Sequence, residues 1–175
     1  MAYILIDGYN LIGTAHDSLE KARESIIRDL QNYAQIKGHE ITIIFDGWKS
    51  GQKDQTRTKM RHVTVIYSRL GETADTAIKK ILSSSARPWI VVSSDREVSD
   101  FAFTKDFVAV HSEEFEFKMH SGLRDVNEID EDTFLDEELH EYYEDKSEKF
   151  QSPHKGNPRK LSRTQKKRLQ ALRKL

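Results

Sequence analysis

Aspartates stand where short apolar runs of this 175-residue chain end. Asp7, Asp46 and Asp95 each follow a run rich in isoleucine or valine. In an open parallel sheet the carboxyl ends of the strands share one edge, where ligands bind, so these three carboxylates are predicted to converge. A fourth, Asp75, lies one helical turn before Ile78 on an apolar stripe, which predicts that its side chain points toward the sheet.

Such a set of acids suggests metal chemistry. Several carboxylates in one cleft repel each other and raise each other's pKa values unless a cation is present. The chain has no cysteine, and an all-oxygen site suits Mg²⁺ or Mn²⁺. These ions acidify bound water and stabilise charge that develops on a phosphate. The predicted reaction is therefore attack of an activated water on a phosphodiester.

Each of these residues also has a structural interpretation. An aspartate after a strand is commonly a turn residue or a helix cap, and Asp75 could simply complement a helix N-terminus. Asn10 fits either a turn or a group that orients Asp7 or a phosphate, and Glu72 stands just before Asp75. The catalytic interpretation therefore depends on the joint pattern and not on one acid.

The elements that must position these acids alternate between strand and helix along the first 112 residues. The apolar runs predict about five strands, at residues 3–6, 41–45, 62–67, 89–92 and 107–110. Helical spacing predicts helices from a cap at Asp17 to Gly38, and at 73–84, 96–104 and 113–120. Strands separated by helices imply right-handed crossovers and an α/β fold with a mainly parallel sheet.

Charge divides the chain into three parts. The net charge of −1 is the sum of +1 over residues 1–112, −11 over 113–150 and +9 over 151–175. We therefore predict a globular domain over 1–120 and an acidic extension over 121–150, helical or partly disordered. A basic tail follows, with a short helix.

Four motifs then occur in a recognisable order. They read IDGYNLI at residues 6–12, IFDG at 44–47, GETAD at 71–75 and SSDRE at 93–97. Over about residues 1–117 the chain resembles the YacP-like NYN domains of the PIN-like nuclease group. The resemblance implies a three-layer α/β/α sandwich with a divalent-metal endoribonuclease site. It implies metal ligands at Asp7, Asp75 and Asp95, a further acid at Asp46, and supporting residues at Asn10 and Glu72.

Two basic segments are candidates for binding RNA or a ribosomal surface. The first lies between the second and third predicted strands, in a predicted loop at the rim of the cleft: Lys49, Lys53, Arg57, Lys59 and Arg61. The second is the tail, which could instead dock on the acidic stretch 113–150: Arg159, Lys160, Arg163, Lys166, Lys167 and Arg168.

Other functions fit less well. A non-catalytic RNA- or ribosome-binding module with the same fold is the first alternative. A phosphatase-type domain would need a second aspartate where this chain has Tyr9. No apolar run approaches the roughly 18 residues of a membrane span, and Met1 leads into the first strand without a basic segment. We therefore expect a cytoplasmic location and no membrane partner.

Overall fold

A six-stranded sheet lies at the centre of the computed structural model, which describes residues 1–13, 18–47, 54–124 and 163–175. The strands are β1 (Tyr3–Asp7), β2 (Glu40–Phe45), β3 (Thr56–Met60), β4 (Val63–Tyr67), β5 (Trp89–Val92) and β6 (Val108–Val110). Their order is β3-β4-β2-β1-β5-β6, and all neighbours are parallel except β3 and β4. The predicted mainly parallel sheet is therefore confirmed.

Helices cover both faces of this sheet. They are α1 (Gly8–Ile12), α2 (Leu19–Lys37), α3 (Ala74–Ser84), α4 (Arg96–Thr104), α5 (Ser112–Arg124) and α6 (Arg163–Leu172). Buried residues of α1, α2, α5 and α6 share one core, and those of α3 and α4 share the other. The result is the three-layer α/β/α arrangement that the resemblance implied.

Alternation along each strand separates the two cores. In β2, Ile43 and Phe45 pack toward α2, whereas Ile44 packs toward α3. Successive strand side chains point to opposite faces, so a strand covered on both sides must be apolar throughout. This is why the inner strands were visible in the sequence, and β5 and α4 have their predicted bounds.

The segment before β4 was predicted wrongly. Residues 56–60 form β3, an antiparallel edge strand, and not part of a loop, so the sheet has six strands instead of about five. Three of its five side chains are exposed. An edge strand needs no apolar alternation, and charged residues there discourage pairing with other chains. The polar sequence therefore resembled a loop.

The two ends of α2 can be compared with the capping residues predicted from the sequence. Gly38 ends α2 in the left-handed conformation, with φ of 66°, as predicted. At the other end Ser18 is the cap, since its side chain accepts from the backbone N–H of Lys21. The predicted cap, Asp17, lies outside the described residues.

The basic tail contributes α6 to the main core. Ala171, Leu172 and Leu175 are buried in the same cluster as Phe115 of α5. The Tyr33 hydroxyl of α2 donates a hydrogen bond to the Leu175 carbonyl at 2.5 Å. The acidic segment 125–150 lies outside the described residues. Among the helices that the structure describes, none is long and apolar enough to cross a membrane.

Candidate active site

Asp7 is the most deeply buried acid at the carboxyl edge of the sheet. It ends β1, is only 3% exposed, and caps α1. One carboxylate oxygen accepts from the Asn10 backbone N–H at 3.3 Å and the other from Asn10 Nδ2 at 2.5 Å. Burial raises the pKa of Asp7, while these hydrogen bonds oppose the increase. Asn10 therefore orients Asp7.

Asp75 reaches Asp7 from the opposite layer. It lies in the first turn of α3, is half-buried, and hydrogen-bonds to the Asp7 carboxyl group. Burial, followed by the charges of Asp7 and Asp95, raises the pKa of Asp75 to about 6. The prediction that this side chain points toward the sheet is confirmed. Below about pH 6, two carboxyl groups in such contact share a proton when no cation is present.

Asp46 and Asp95 complete a cluster of four acids. The charge of Asp46 raises the pKa of Asp7, as that of Asp95 raises the pKa of Asp75. Both also cap helices: Asp46 accepts from the Ala74 N–H at 2.5 Å and Asp95 from the Glu97 N–H at 2.6 Å. The structure therefore brings the four acids together while giving three of them a capping role.

Ser93 links two of these acids, and sequence analysis missed it. Its side chain is buried, and the residue directly follows the last residue of β5. The hydroxyl oxygen accepts from Asn10 Nδ2 at 3.3 Å and from the Asp95 backbone N–H at 3.1 Å. A hydrogen-bonded chain thus runs from Asp7 through Asn10 and Ser93 to Asp95. The available signal was its position two residues before Asp95.

Glu72 lies on the connection between β4 and α3 and forms ion pairs with two basic side chains. It is 7% exposed, with Lys80 Nζ at 2.5 Å from one oxygen and Arg69 Nε at 3.4 Å from the other. The Ser68 hydroxyl donates to its backbone carbonyl at 2.5 Å. These contacts suit a residue that fixes the loop before Asp75.

The donors of the cluster have the right chemistry for Mg²⁺ or Mn²⁺, since all are carboxylate oxygens. In the arrangement described, no group of three or more His, Asp or Glu side chains within 1–13, 18–47, 54–124 and 163–175 could hold a metal ion. Asp7 and Asp75 bind each other, and Asp46 and Asp95 each direct an oxygen to a helix N–H.

The first basic segment does not all lie at the cleft. Lys49 and Lys53 fall outside the described residues. Because β3 runs antiparallel to β4, it leads away from the carboxyl edge, from Arg57 toward the turn at Arg61. Lys59 lies 3.7 Å from Glu40, and Arg61 donates to Gln35 at 2.8 Å. The expected position of Lys59 and Arg61 at the rim is therefore wrong.

The tail residues differ in how they are used. Arg159 and Lys160 lie outside the described residues, whereas Arg163 and Lys166 are exposed on α6. Lys167 and Arg168 form ion pairs within the fold, with Asp106 and Glu114 respectively. RNA binding by both basic segments stays a prediction.

The fold and its motifs match a known protein family. The YacP-like NYN domain family matches residues 4–174 of the chain. The chain belongs to this family. The match reaches into α6, well beyond the four motifs near the acids, in agreement with the packing of α6 into the main core.

The similarity extends to individual proteins. YacP of Bacillus subtilis (strain 168) is 33% identical in an alignment 107 residues long, which covers 54% of this chain and 61% of that relative. The aligned part therefore spans about three fifths of the relative's length. The crystal structure of a mutant of Rae1 (YacP) from Bacillus subtilis has a TM-score of 0.61 and 26% identity, covering 73% of this chain and 80% of that one.

A second crystal structure of Rae1 (YacP) from Bacillus subtilis shows the similarity of fold. It has a TM-score of 0.54 at 22% identity, covering 85% of this chain and 86% of that one. Family and fold together place the chain among PIN-like, nuclease-type domains.

Proposed function

We propose that this protein is an endoribonuclease that hydrolyses RNA phosphodiester bonds with the help of Mg²⁺ or Mn²⁺. The observation that carries the proposal is the contact between Asp7 and Asp75 at the carboxyl edge, with two further acids in electrostatic range. Like charges are brought this close in a fold when the site binds a cation or a shared proton. Membership of a nuclease-type family makes the cation the better explanation.

Asp7, Asp75 and Asp95 would hold the ion after their carboxyl groups rearrange, because no three of the described acids could hold it as they are now arranged. The chemistry that it supplies is acidification of water and neutralisation of negative charge on the phosphate. Below about pH 6 the pair would keep a proton in the absence of a cation, since the pKa of Asp75 is raised to about 6. Ion binding would therefore release protons.

The chain's own residues prepare this site for a phosphate. Asn10 fixes the orientation of the Asp7 carboxylate, and Ser93 couples Asn10 to the backbone before α4. The N-termini of α3 and α4 meet the cluster through Asp46 and Asp95. Their partial positive charges favour an anion beside the acids.

A cleavage assay tests the proposal. A labelled single-stranded RNA is incubated with the protein in EDTA, Mg²⁺ or Mn²⁺, beside Asp7→Asn, Asp75→Asn and Asp100→Asn. The last is a matched control, because Asp100 is an exposed acid of α4 that faces Arg96. We expect cleavage only with metal and a loss of about 100-fold or more in the first two variants alone. Cleavage in EDTA, or undiminished cleavage by Asp75→Asn, would contradict the proposal.

A second candidate is a non-catalytic module that binds RNA or a ribosomal surface. It is favoured by the capping bonds of Asp7, Asp46 and Asp95, since capping alone would explain these three acids. In that case the protein binds RNA without cleaving it. Asp7→Asn then changes stability but not RNA affinity.

A further inference from the structure

An arginine held by tyrosines lies beside the acid cluster. Arg23, near the start of α2, donates from Nη1 to the Tyr9 hydroxyl at 3.3 Å. Its guanidinium carbon is 5.8 Å from the centroid of the Tyr67 ring, within the range of a cation–π interaction. The Phe45 ring lies between the two tyrosines, edge-on to Tyr9 at 5.4 Å and stacked on Tyr67 at 5.6 Å.

Both tyrosines place Arg23 at the carboxyl edge of the sheet. Tyr67 ends β4 and pairs with Phe45, the residue before Asp46. Tyr9 is two residues after Asp7. Burial raises the pKa of its hydroxyl, while the charge of Arg23 lowers this pKa and that of Asp46 raises it. Arg23 therefore approaches the cleft from the layer of α1 and α2, whereas Asp75 approaches from the layer of α3.

The described partners of Arg23 are uncharged side chains. Within the part of the chain that the structure describes, Arg23 forms no ion pair, whereas Lys79 and Lys80 beside the cleft pair with Glu97 and Glu72. A phenol and an aromatic ring orient a guanidinium without neutralising it. Its remaining N–H groups match two oxygens of a phosphate.

We propose that Arg23 binds an RNA phosphate next to the one held by the acids, with Tyr9 and Tyr67 fixing the guanidinium. This inference rests on the proposed function. Among the described residues, Arg23 contacts Tyr9 and Tyr67 and none of the four acids, so we assign it to a phosphate beside the one that the acids would hold. Arg23 is thus a substrate-binding residue that sets the register of the RNA strand.

The fold provides a matched control in Arg87. Its guanidinium carbon lies 5.1 Å from the centroid of the Tyr3 ring, so it makes the same kind of contact. Tyr3 begins β1, and Arg87 precedes β5, which places this pair at the opposite edge of the sheet. Arg87→Gln removes the same charge and the same contact far from the acids.

The test measures binding without cleavage. A fluorescein-labelled 12-nucleotide single-stranded RNA is titrated in EDTA at several KCl concentrations, and anisotropy gives Kd. We expect Arg23→Gln to weaken binding about tenfold and to lower the slope of log Kd against log salt by about one. Arg87→Gln should stay within about twofold of wild type. Arg23→Lys keeps the charge but loses the bidentate geometry, so its Kd should be intermediate.

Thermal unfolding of each variant accompanies the titration, to separate binding from folding. If Arg23→Gln is unfolded, Arg23→Lys decides, and an affinity equal to wild type overturns the inference. Equal affinities and salt slopes for the Gln variants of Arg23 and Arg87 overturn it too, even when wild type cleaves RNA. A wild-type protein that binds this RNA but does not cleave it with Mn²⁺ contradicts the proposed function. In that case the Kd values and salt slopes of Arg23→Gln and Arg87→Gln still show whether Arg23 contacts an RNA phosphate.

Discussion

At the scale of single residues, the stability of the metal-free protein depends on whether Asp75 is protonated. The folded protein keeps Asp75 protonated up to a pKa of about 6, whereas the ordinary value is 3.8. Between these values the native state binds more protons than the unfolded chain. The free energy of unfolding therefore falls as pH rises from about 4 to 6, as far as this group contributes. Above pH 6 the ionised pair destabilises the metal-free protein.

Replacing Asp75 should consequently stabilise the protein while removing its activity. Asp75→Asn eliminates the repulsion, and its amide can still donate to Asp7. In EDTA at pH 7.5 we expect its free energy of unfolding to exceed that of wild type by about 1 kcal/mol, a figure reduced for solvent screening. At pH 4.5 the difference should shrink. Urea denaturation at both pH values measures this, and a loss of stability equal at both would argue against the shared proton.

At the scale of elements, the acids are placed by close backbone contacts. A Cβ atom at Gly47 would lie 1.6 Å from the Ser68 carbonyl oxygen, and one at Gly8 would lie 2.3 Å from a carbon of the Phe45 ring. The Gly47 N–H also donates to Ser68 Oγ at 2.9 Å. The glycine after Asp46 therefore lets the chain beyond β2 pass directly against the end of β4.

Gly47→Ala should test this placement. Because the opposing atom belongs to the backbone, we expect a loss of about 3 kcal/mol or more in the free energy of unfolding. Gly122→Ala is the control, since the nearest atom to its Cβ is the flexible Lys37 Cε at 2.7 Å. That variant should change the value by less than about 1 kcal/mol. Denaturant unfolding measures both variants. Equal losses of unfolding free energy in Gly47→Ala and Gly122→Ala would contradict a steric role for Gly47.

The elements also show what a sequence can predict. The inner strands and α4 were predictable because burial on both faces or on one stripe leaves a pattern. The short helix α1 and the edge strand β3 were not, since neither has enough apolar residues to show a period. Three of the four acids were found from their positions at strand ends, and Asp75 was found from its place on the apolar stripe of a helix. Ser93 and Arg23 gain their roles only from residues that folding brings near, such as Asn10 and Tyr67.

At the scale of the whole molecule, the chain returns to its main core after the acidic segment. The basic tail was expected to bind a partner, yet α6 packs an apolar side into the main core with Val110 of β6 and Phe115 of α5. Its Lys167 and Arg168 form ion pairs with Asp106 and Glu114. Leu172 is 2% exposed in this position. Truncation of the tail would therefore test folding before it tested RNA binding.

Leu172→Ala should reveal the contribution of α6. Removing a buried leucine side chain leaves a cavity, so we expect a loss of about 2–4 kcal/mol in the free energy of unfolding. Gln170→Ala, at an exposed position of the same helix, should change it by less than about 0.5 kcal/mol. Thermal and urea unfolding compare the two variants. An unchanged stability of Leu172→Ala would mean that α6 does not dock in solution.

The function proposed above requires that the acid cluster binds a divalent cation. Electron paramagnetic resonance of Mn²⁺ at pH 7.5 measures ion binding directly, without RNA and without turnover. We predict that wild type and Asp100→Asn bind Mn²⁺ alike, and that Asp75→Asn binds at least about tenfold more weakly because it loses a ligand oxygen charge. Equal Mn²⁺ affinity in Asp75→Asn and wild type would contradict the claim.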